Sequence, residues 1–266
     1  MKAAYVGIDI LYPALPALYD SGCDIVRIFT CDTDNITEFN TAVAGFALSH
    51  KIPLSKRKIV KEDLYGLLNE GCDFVLVGGY YYRIPIIDEL PIVNIHPALL
   101  PKGRGAWPMP VTILKGLKES GITFHRMSEG LDEGDILLQE KIPVYPDDDL
   151  RTLSSRQNAC IPDMVNNLTE DFYKLWDTAY PQGDGAEYWE MPKEADWTIT
   201  SDMTALEADL ILRAFFGYEC IYVNRKSGER FELIEGRVAK NSDKYEGVRS
   251  FPISDGSIVC NRVVEV

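Results

Sequence analysis

Short apolar runs alternate with amphipathic segments over residues 1–145. Strands buried on both faces read as continuous apolar runs, so this alternation is typical of βαβ units around a parallel sheet. The pattern predicts six strands, at Ala3–Ile8, Asp24–Thr30, Asp73–Val77, Ile92–His96, Ile122–Arg126 and Ile136–Pro143. It predicts helices between them, at Tyr12–Asp20, Ile36–His50, Lys61–Asn69 and Pro108–Gly116. We therefore expect an α/β fold with a Rossmann-like, mostly parallel sheet flanked by helices.

The pattern changes beyond residue 150. Apolar residues recur near helical spacing from Leu150 to Tyr180, which predicts a long helix interrupted at Pro162, because proline lacks a backbone N–H. After a turn-rich, acidic stretch, one helix and several short alternating segments predict a small β-rich, OB-like sheet, with elements at Leu206–Phe216, Cys220–Asn224, Arg230–Glu235 and Ser257–Val266. We expect a main domain at 1–180, an acidic linker at 181–200 and a small C-terminal subdomain at 201–266.

Charge and composition narrow the expected partners. The 266 residues include 27 Lys and Arg against 41 Asp and Glu, a formal net charge of −14, and residues 201–266 hold 9 basic and 11 acidic residues. Binding to phosphate backbones depends on Lys and Arg that displace counterions, so we expect no nucleic-acid and no membrane partner. The six cysteines form no C-x-x-C pair, which favours reduced thiols, no metal site and a cytoplasmic location.

Candidate chemistry centres on one strand end. The chain has three histidines, His50, His96 and His125. Side chains alternate along a strand, so Asn94 and His96 lie on the same face of the predicted strand Ile92–His96. Pro97 ends that strand, which places both side chains at its carboxyl end, where open α/β sheets bind ligands. A hydrogen-bonded structural histidine is the alternative interpretation.

An acidic turn, Gly130-Leu-Asp-Glu-Gly-Asp135, precedes the strand at Ile136–Pro143. One helix and one strand fit between His96 and Asp132, and a βαβ excursion of that kind would return Asp132 to the same sheet edge. The alternative interpretation is a solvated acidic turn.

Three runs together resemble the folate-dependent formyltransferases, which use N10-formyltetrahydrofolate: Asn94-Ile-His-Pro-Ala-Leu-Leu-Pro101, Gly121-Ile-Thr-Phe-His125 and Leu131-Asp-Glu-Gly-Asp-Ile136. The resemblance covers roughly residues 1–180, which would then be the catalytic domain. It implies that N10-formyltetrahydrofolate is the cosubstrate and that three residues are catalytic, namely Asn94, His96 and Asp132. It also implies a folate-binding group made up of Tyr81, Tyr82, Arg83, Ile84 and Leu131.

Within that family, Gly79–Arg83 and Gly121–Met127 are most similar to the nucleotide-sugar N-formyltransferases. This similarity predicts formyl transfer to the amine of a nucleotide-linked amino-deoxy sugar in bacterial surface glycan biosynthesis. The candidate substrate-binding residues are Lys102, Arg104, Trp107 and His125, each of which has a surface or packing role as its alternative. This chain has Ala106 at a position where the relative that modifies arabinose has arginine.

Two other functions stay open from the sequence. One is methionyl-tRNA formyltransferase, and the other is a non-catalytic module that binds folate or nucleotide. The resemblance is also compatible with a homodimer.

Formyl transfer requires stabilisation of an oxyanion and removal of a proton from the attacking amine. Asn94 can donate its amide hydrogens to the oxyanion, and His96 can exchange a proton. We expect Asp132 to orient the His96 imidazole and to raise its pKa, since a nearby carboxylate favours the imidazolium. This scheme requires no metal.

Overall fold

The computed structural model describes residues 1–239 and 248–265. Its helices are α1 Ala14–Asp20, α2 Thr41–His50, α3 Lys61–Asn69, α4 Pro108–Leu114, α5 Leu150–Glu170, α6 Phe172–Asp177 and α7 Ala205–Ala214. The strands up to residue 143 are β1 Lys2–Gly7, β2 Asp24–Thr30, β3 Leu54–Lys56, β4 Phe74–Gly78, β5 Ile92–His96, β6 Lys102–Arg104, β7 Glu119–Arg126 and β8 Ile136–Pro143. The later strands are β9 Glu187–Tyr188, β10 Thr198–Thr200, β11 Glu219–Val223, β12 Arg230–Ile234, β13 Arg237–Val238, β14 Arg249–Ile253, β15 Gly256–Cys260 and β16 Arg262–Glu265.

The chain divides into two units, each made of several segments. The first unit comprises residues 1–104, 120–142 and 156–188, and the second comprises 105–119, 143–155 and 189–266. Segments 105–119 and 143–155 therefore pack with the C-terminal part of the chain, although the sequence pattern suggested the first domain for them. The division at 1–180, 181–200 and 201–266 stays a prediction.

The first unit is built on a seven-stranded sheet of order β3-β2-β1-β4-β5-β7-β8. Neighbours from β3 to β5 are parallel, which confirms the mostly parallel sheet. Buried residues cover both faces: Tyr5 and Phe74 pack with α1, α2 and α5 on one side, and Phe29 and Val75 pack with α3 on the other. This two-sided burial explains why the strands read as continuous apolar runs.

The prediction that a βαβ excursion returns Asp132 to the sheet edge was wrong, because β7 runs antiparallel to β5. The end of β7 therefore lies beside the start of β5, where the backbone N–H of Met127 donates to the carbonyl of Ile92 at 2.8 Å. The loop from Met127 to Asp135 then folds back, so that Asp132 reaches Asn94 and His96 by a different path from the one expected.

Two helix predictions also need correction. The segment 36–40 is not helical, because the Asp34 carboxylate accepts hydrogen bonds from the backbone N–H groups of Ile36, Thr37 and Glu38 and forms a turn there. The long helix is not interrupted at Pro162, which lies inside α5; the break comes at Asp171, between α5 and α6.

A carboxylate of the chain caps α2. Asp9, which follows β1, accepts hydrogen bonds from the backbone N–H groups of Ala42 at 2.9 Å and Val43 at 3.0 Å. These are orphan donors of the first helical turn, and the carboxylate satisfies them. The contact ties the segment after β1 to the start of α2, the helix that follows β2. A G-x-G-x-x-G run would stand between β1 and α1, and the sequence has none there.

The second unit is β-rich, as expected. It contains a four-stranded sheet of order β10-β11-β12-β16 and a three-stranded sheet of order β13-β15-β14. The segment Ser257–Val266, predicted as one strand, holds two strands of different sheets up to Glu265, and Val266 lies outside the described residues. Trp107 packs by its ring against Phe215 at 5.7 Å and Tyr218 at 4.8 Å between centroids.

Across residues 1–239 and 248–265, no helix is both long enough and apolar enough to span a membrane.

Candidate active site

Four polar side chains meet over β5, and we call them the Asp132 cluster: Asn94, His96, His125 and Asp132. Asp132 Oδ1 lies 3.6 Å from His96 Nδ1, 3.4 Å from His125 Nε2 and 3.4 Å from Asn94 Nδ2. The antiparallel register places Asn94 directly opposite His125, and Asn94 Nδ2 lies 3.1 Å from His125 Nε2. The structure thus brings together the three residues predicted to be catalytic and adds a second imidazole.

The cluster is shielded from water. His96, His125 and Asp132 are 4%, 2% and 8% exposed, whereas Asn94 is half-buried and is the member most open to a ligand. Burial lowers the pKa of His96, and this effect outweighs the opposing influence of the Asp132 carboxylate. Asp132 does raise this pKa, as expected, but burial lowers it by more, so the net shift favours the neutral imidazole.

Backbone carbonyls fix the tautomers of both histidines. A carbonyl oxygen only accepts hydrogen bonds, so His96 Nε2–H donates to Gly103 at 2.7 Å and His125 Nδ1–H donates to Arg126 at 2.8 Å. The neutral His96 ring consequently directs an unprotonated Nδ1 toward Asp132 Oδ1, and His125 Nε2 faces the same oxygen. A neutral imidazole beside a carboxylate in a buried place is suited to receiving a single proton.

Polar side chains also hold the loop that follows His96. Thr123 Oγ1 donates to the carbonyl of Ala98 at 2.6 Å, and Gln139 Nε2 donates to the carbonyl of Leu100 at 2.9 Å. Gln157 Nε2 donates to the carbonyl of Pro97 at 3.0 Å. Sequence reasoning missed these residues, because they reach the loop from β7, β8 and α5 and carry no motif of their own.

The backbone of Asp132 has a left-handed conformation, with φ of 55°. Non-glycine residues rarely adopt this region without support from neighbouring groups. Here Gln182 Nε2 donates to the carbonyls of Asp132 at 2.7 Å and Gly134 at 2.8 Å. Gln182 is a fourth residue that the sequence analysis missed.

The predicted substrate-binding residues are dispersed. Arg104 donates from Nε and Nη2 to Gln182 Oε1 at 3.0 and 2.9 Å, and Lys102 Nζ lies 3.8 Å from Glu187 Oε1. Trp107 belongs to the aromatic packing of the second unit. Of the four, only His125 is part of the Asp132 cluster, and their role in binding stays a prediction.

Two of the five predicted folate-binding residues, Arg83 and Ile84, line a cavity in the first unit. The cavity has a volume of about 360 Å³ and is lined by Lys58, Lys61, Arg83, Ile84 and Glu129, among others. Arg83 donates to Glu129, and Ile84 is buried. Tyr81 donates to Glu38, Tyr82 packs its ring on Tyr80, and Leu131 is 53% exposed beside Asp132.

Within the described part of the chain, no group of three His, Cys, Asp or Glu side chains is placed to hold a metal ion.

Comparisons with known proteins agree on one family. Residues 35–164 match the family model described as formyl transferase. The methionyl-tRNA formyltransferase of Coprothermobacter proteolyticus is 39% identical over 257 residues, which cover 88% of this chain and 84% of that protein. The methionyl-tRNA formyltransferase of Ehrlichia ruminantium (strain Welgevonden) is 32% identical over 207 residues, which cover 75% of this chain and 64% of that protein. The match thus spans less than two thirds of that second relative's length.

A solved structure supports the fold. A sugar 3N-formyl transferase, crystallised in the presence of dTDP and 5-N-formyl-THF, superposes with a TM-score of 0.67 at 19% identity. The match covers 98% of this chain and 97% of that chain. At this identity the likeness concerns the fold alone.

The sequence relatives overturn the predicted acceptor. A nucleotide-linked amino sugar and the absence of a nucleic-acid partner were expected, whereas both relatives are enzymes named for methionyl-tRNA. The expectation rested on the net charge and on the Gly79–Arg83 and Gly121–Met127 motifs. Net charge averages over a surface and does not report where exposed cations such as Lys226 and Arg262 lie. The Gly121–Met127 motif falls in β7 and the turn after it, where His125 serves the Asp132 cluster.

Proposed function

The chain belongs to the formyl transferase family, and from this premise we propose that it transfers a formyl group from N10-formyltetrahydrofolate to the amino group of methionyl-tRNA. The observation that carries the proposal is the Asp132 cluster, a half-buried amide in contact with a buried carboxylate and imidazole at β5. The acceptor is supported by the 39% identity to a methionyl-tRNA formyltransferase over most of both chains.

The cluster has the groups that formyl transfer needs. The donor supplies an activated formyl group, and the reaction moves one proton from the attacking amine to the departing nitrogen. Asn94 Nδ2 can donate to an oxygen that gains negative charge. His96 is neutral because burial lowers its pKa, so Nδ1 can accept a proton, and Asp132 Oδ1 at 3.6 Å stabilises the resulting imidazolium.

The cavity beside Arg83 suits the donor. Its volume of about 360 Å³ is within the range of small-molecule sites. Every folate carries a glutamate moiety, and the cations of Lys58, Lys61 and Arg83 line the cavity and offer partners for its carboxylates. Ile84 and Pro85 supply apolar wall for a ring system.

Formylation of charged initiator tRNA tests the proposal. The purified protein is incubated with N10-formyltetrahydrofolate and methionyl-tRNA, and formyl-methionine is measured after deacylation. We expect product formation, a KM for tRNA that rises with salt because phosphate contacts are screened, and a kcat roughly 10²- to 10³-fold lower in Asn94→Ala.

Two outcomes distinguish an error in the proposed acceptor from an error in the proposal as a whole. Binding of 5-formyltetrahydrofolate, a stable donor analogue, is measured by calorimetry in the same preparation. Binding without product on methionyl-tRNA would refute the acceptor, and absence of both would refute the proposal as a whole.

A further inference from the structure

Gln182 is a buried amide on the segment between α6 and β9. Its side chain uses every hydrogen-bonding position that an amide offers. Nε2 donates to the carbonyls of Asp132 at 2.7 Å and Gly134 at 2.8 Å, and Oε1 accepts from Arg104 Nε at 3.0 Å and Nη2 at 2.9 Å. An amide that is 8% exposed and fully bonded holds its partners in one geometry.

These partners belong to the two segments that contact His96. Gly103, which precedes Arg104, accepts the hydrogen bond from His96 Nε2 at 2.7 Å. Asp132, whose carbonyl Gln182 binds, faces His96 Nδ1 at 3.6 Å. The contacts form a closed ring. Gln182 joins the segment of Gly103, which bonds His96 Nε2, to the segment of Asp132, which faces His96 Nδ1.

Arg104 completes the link. Two of its nitrogens bind Gln182, and Nη1 lies 3.6 Å from Glu133 Oε1, beside Asp132. Arg104 thus contacts the Asp132 loop both directly and through Gln182. The contacts with Gln182 occupy the Nε–Nη2 edge of the guanidinium, one of the two edges that can bind phosphate bidentately.

We propose that Gln182 is a positioning residue that fixes Asp132 relative to His96, with Arg104 as its anchor. Because a displacement of about 1 Å at a reacting group can cost on the order of 10²-fold in rate, loss of this amide affects kcat although Gln182 touches no substrate. The kinetic part of this inference rests on the proposed function, and the spectroscopic part does not.

Gln182→Met tests the inference, since methionine has similar length and cannot form the four hydrogen bonds. We expect kcat for formylation to fall roughly 10- to 100-fold, with the KM for the donor changed by less than about twofold. Tyr180→Phe is the matched control: it alters only an exposed hydroxyl on the same segment and leaves kcat unchanged.

Histidine resonances give a readout that is independent of activity. The chain has three histidines, so ¹H–¹³C spectra of the ring Cε1 positions resolve each one. In Gln182→Met the signals of His96 and His125 shift or broaden, whereas that of His50 does not move. This comparison tests the positioning role of Gln182 even if methionyl-tRNA is not the acceptor. Unchanged His96 signals overturn the proposal.

A double variant tests the anchor. If Arg104 acts through Gln182, Arg104→Met lowers kcat, and Arg104→Met combined with Gln182→Met is no worse than Gln182→Met alone. Additive losses, accompanied by a raised KM for the acceptor in Arg104→Met, would show that Arg104 binds substrate and would overturn its role as anchor.

A second substitution covers the case in which Gln182→Met does not fold. Gln182→Glu retains an acceptor for Arg104 and loses the two donated hydrogen bonds. We expect the same loss of kcat in the folded variant, and wild-type kcat there would overturn the proposal.

Discussion

His96 shows that burial, more than the nearest charge, sets the state of a titrating group. Asp132 is 3.6 Å away and favours the imidazolium, yet desolvation lowers the pKa of His96 overall. Sequence reasoning identified the carboxylate but had no measure of burial, so it inferred the opposite direction. A neutral His96 is the form that can accept a proton from an amine.

This pKa makes the stability of the fold depend on pH. The unfolded chain protonates His96 near pH 6.5, whereas the folded chain does so only at lower pH. The unfolded state therefore binds more protons below pH 6.5, and stability falls as the pH drops through that window. We expect the free energy of unfolding of His96→Gln, measured with urea, to fall less between pH 7 and pH 5 than that of the wild type.

The comparison has a matched control. His50→Gln removes a histidine that lies outside the Asp132 cluster, with its ring stacked on Phe46 at 4.0 Å. This variant measures the effect on stability of removing an imidazole from outside the cluster. Parallel curves for His96→Gln and the wild type would contradict the buried, neutral state of His96.

At the level of elements, the loop from Met127 to Asp135 depends on a close backbone approach. A Cβ at Gly134 would overlap the carbonyl oxygen of Arg126, whereas a Cβ at Gly130 would meet only the flexible end of the Glu133 side chain. The two glycines of one loop thus differ in what surrounds them.

Gly134→Ala should therefore displace the loop and Gly130→Ala should not. We expect Gly134→Ala to destabilise the protein by roughly 1–3 kcal/mol, the usual cost of overpacking, and to lower kcat. Gly130→Ala should stay within about 0.5 kcal/mol of the wild type. Thermal unfolding and formylation assays check both, and equal effects of the two substitutions would argue against the loop geometry.

Elements were more predictable from the sequence than their connections. All six strands expected in residues 1–145 are present, because continuous apolar runs mark strands buried on both faces. The orientation of β7 was not predictable, since an apolar run carries no direction. Gln182 was not predicted for a similar reason: its hydrogen-bond partners lie 50 and 78 residues away in the sequence, and no local motif relates them.

At the level of the whole molecule, the interleaved units bear on the predicted boundary near residue 200. The second unit combines residues 105–119 and 143–155 with residues 189–266. A fragment that ends at residue 200 would lack Phe215 and Tyr218, the partners of Trp107, and α7, which packs on α4.

We expect the 1–200 fragment to bind a hydrophobic dye and to unfold at a lower temperature than the full chain, because α4 and Trp107 become exposed. Trp107→Ala in the full chain checks the cause and should reproduce part of the loss in stability. A fragment with the melting temperature of the full chain would support the boundary at 180–200 as a true domain limit.

Asp9 has a consequence for what the fold can recognise. Its carboxylate is tethered to β1 and sits on the first turn of α2, so it competes with free anions from within the same molecule. To bind at this turn, inorganic phosphate or a nucleotide must displace a carboxylate that the chain itself holds in place. Asp9 thus keeps the first turn of α2 from serving as an anion site and joins the segment after β1 to the helix after β2.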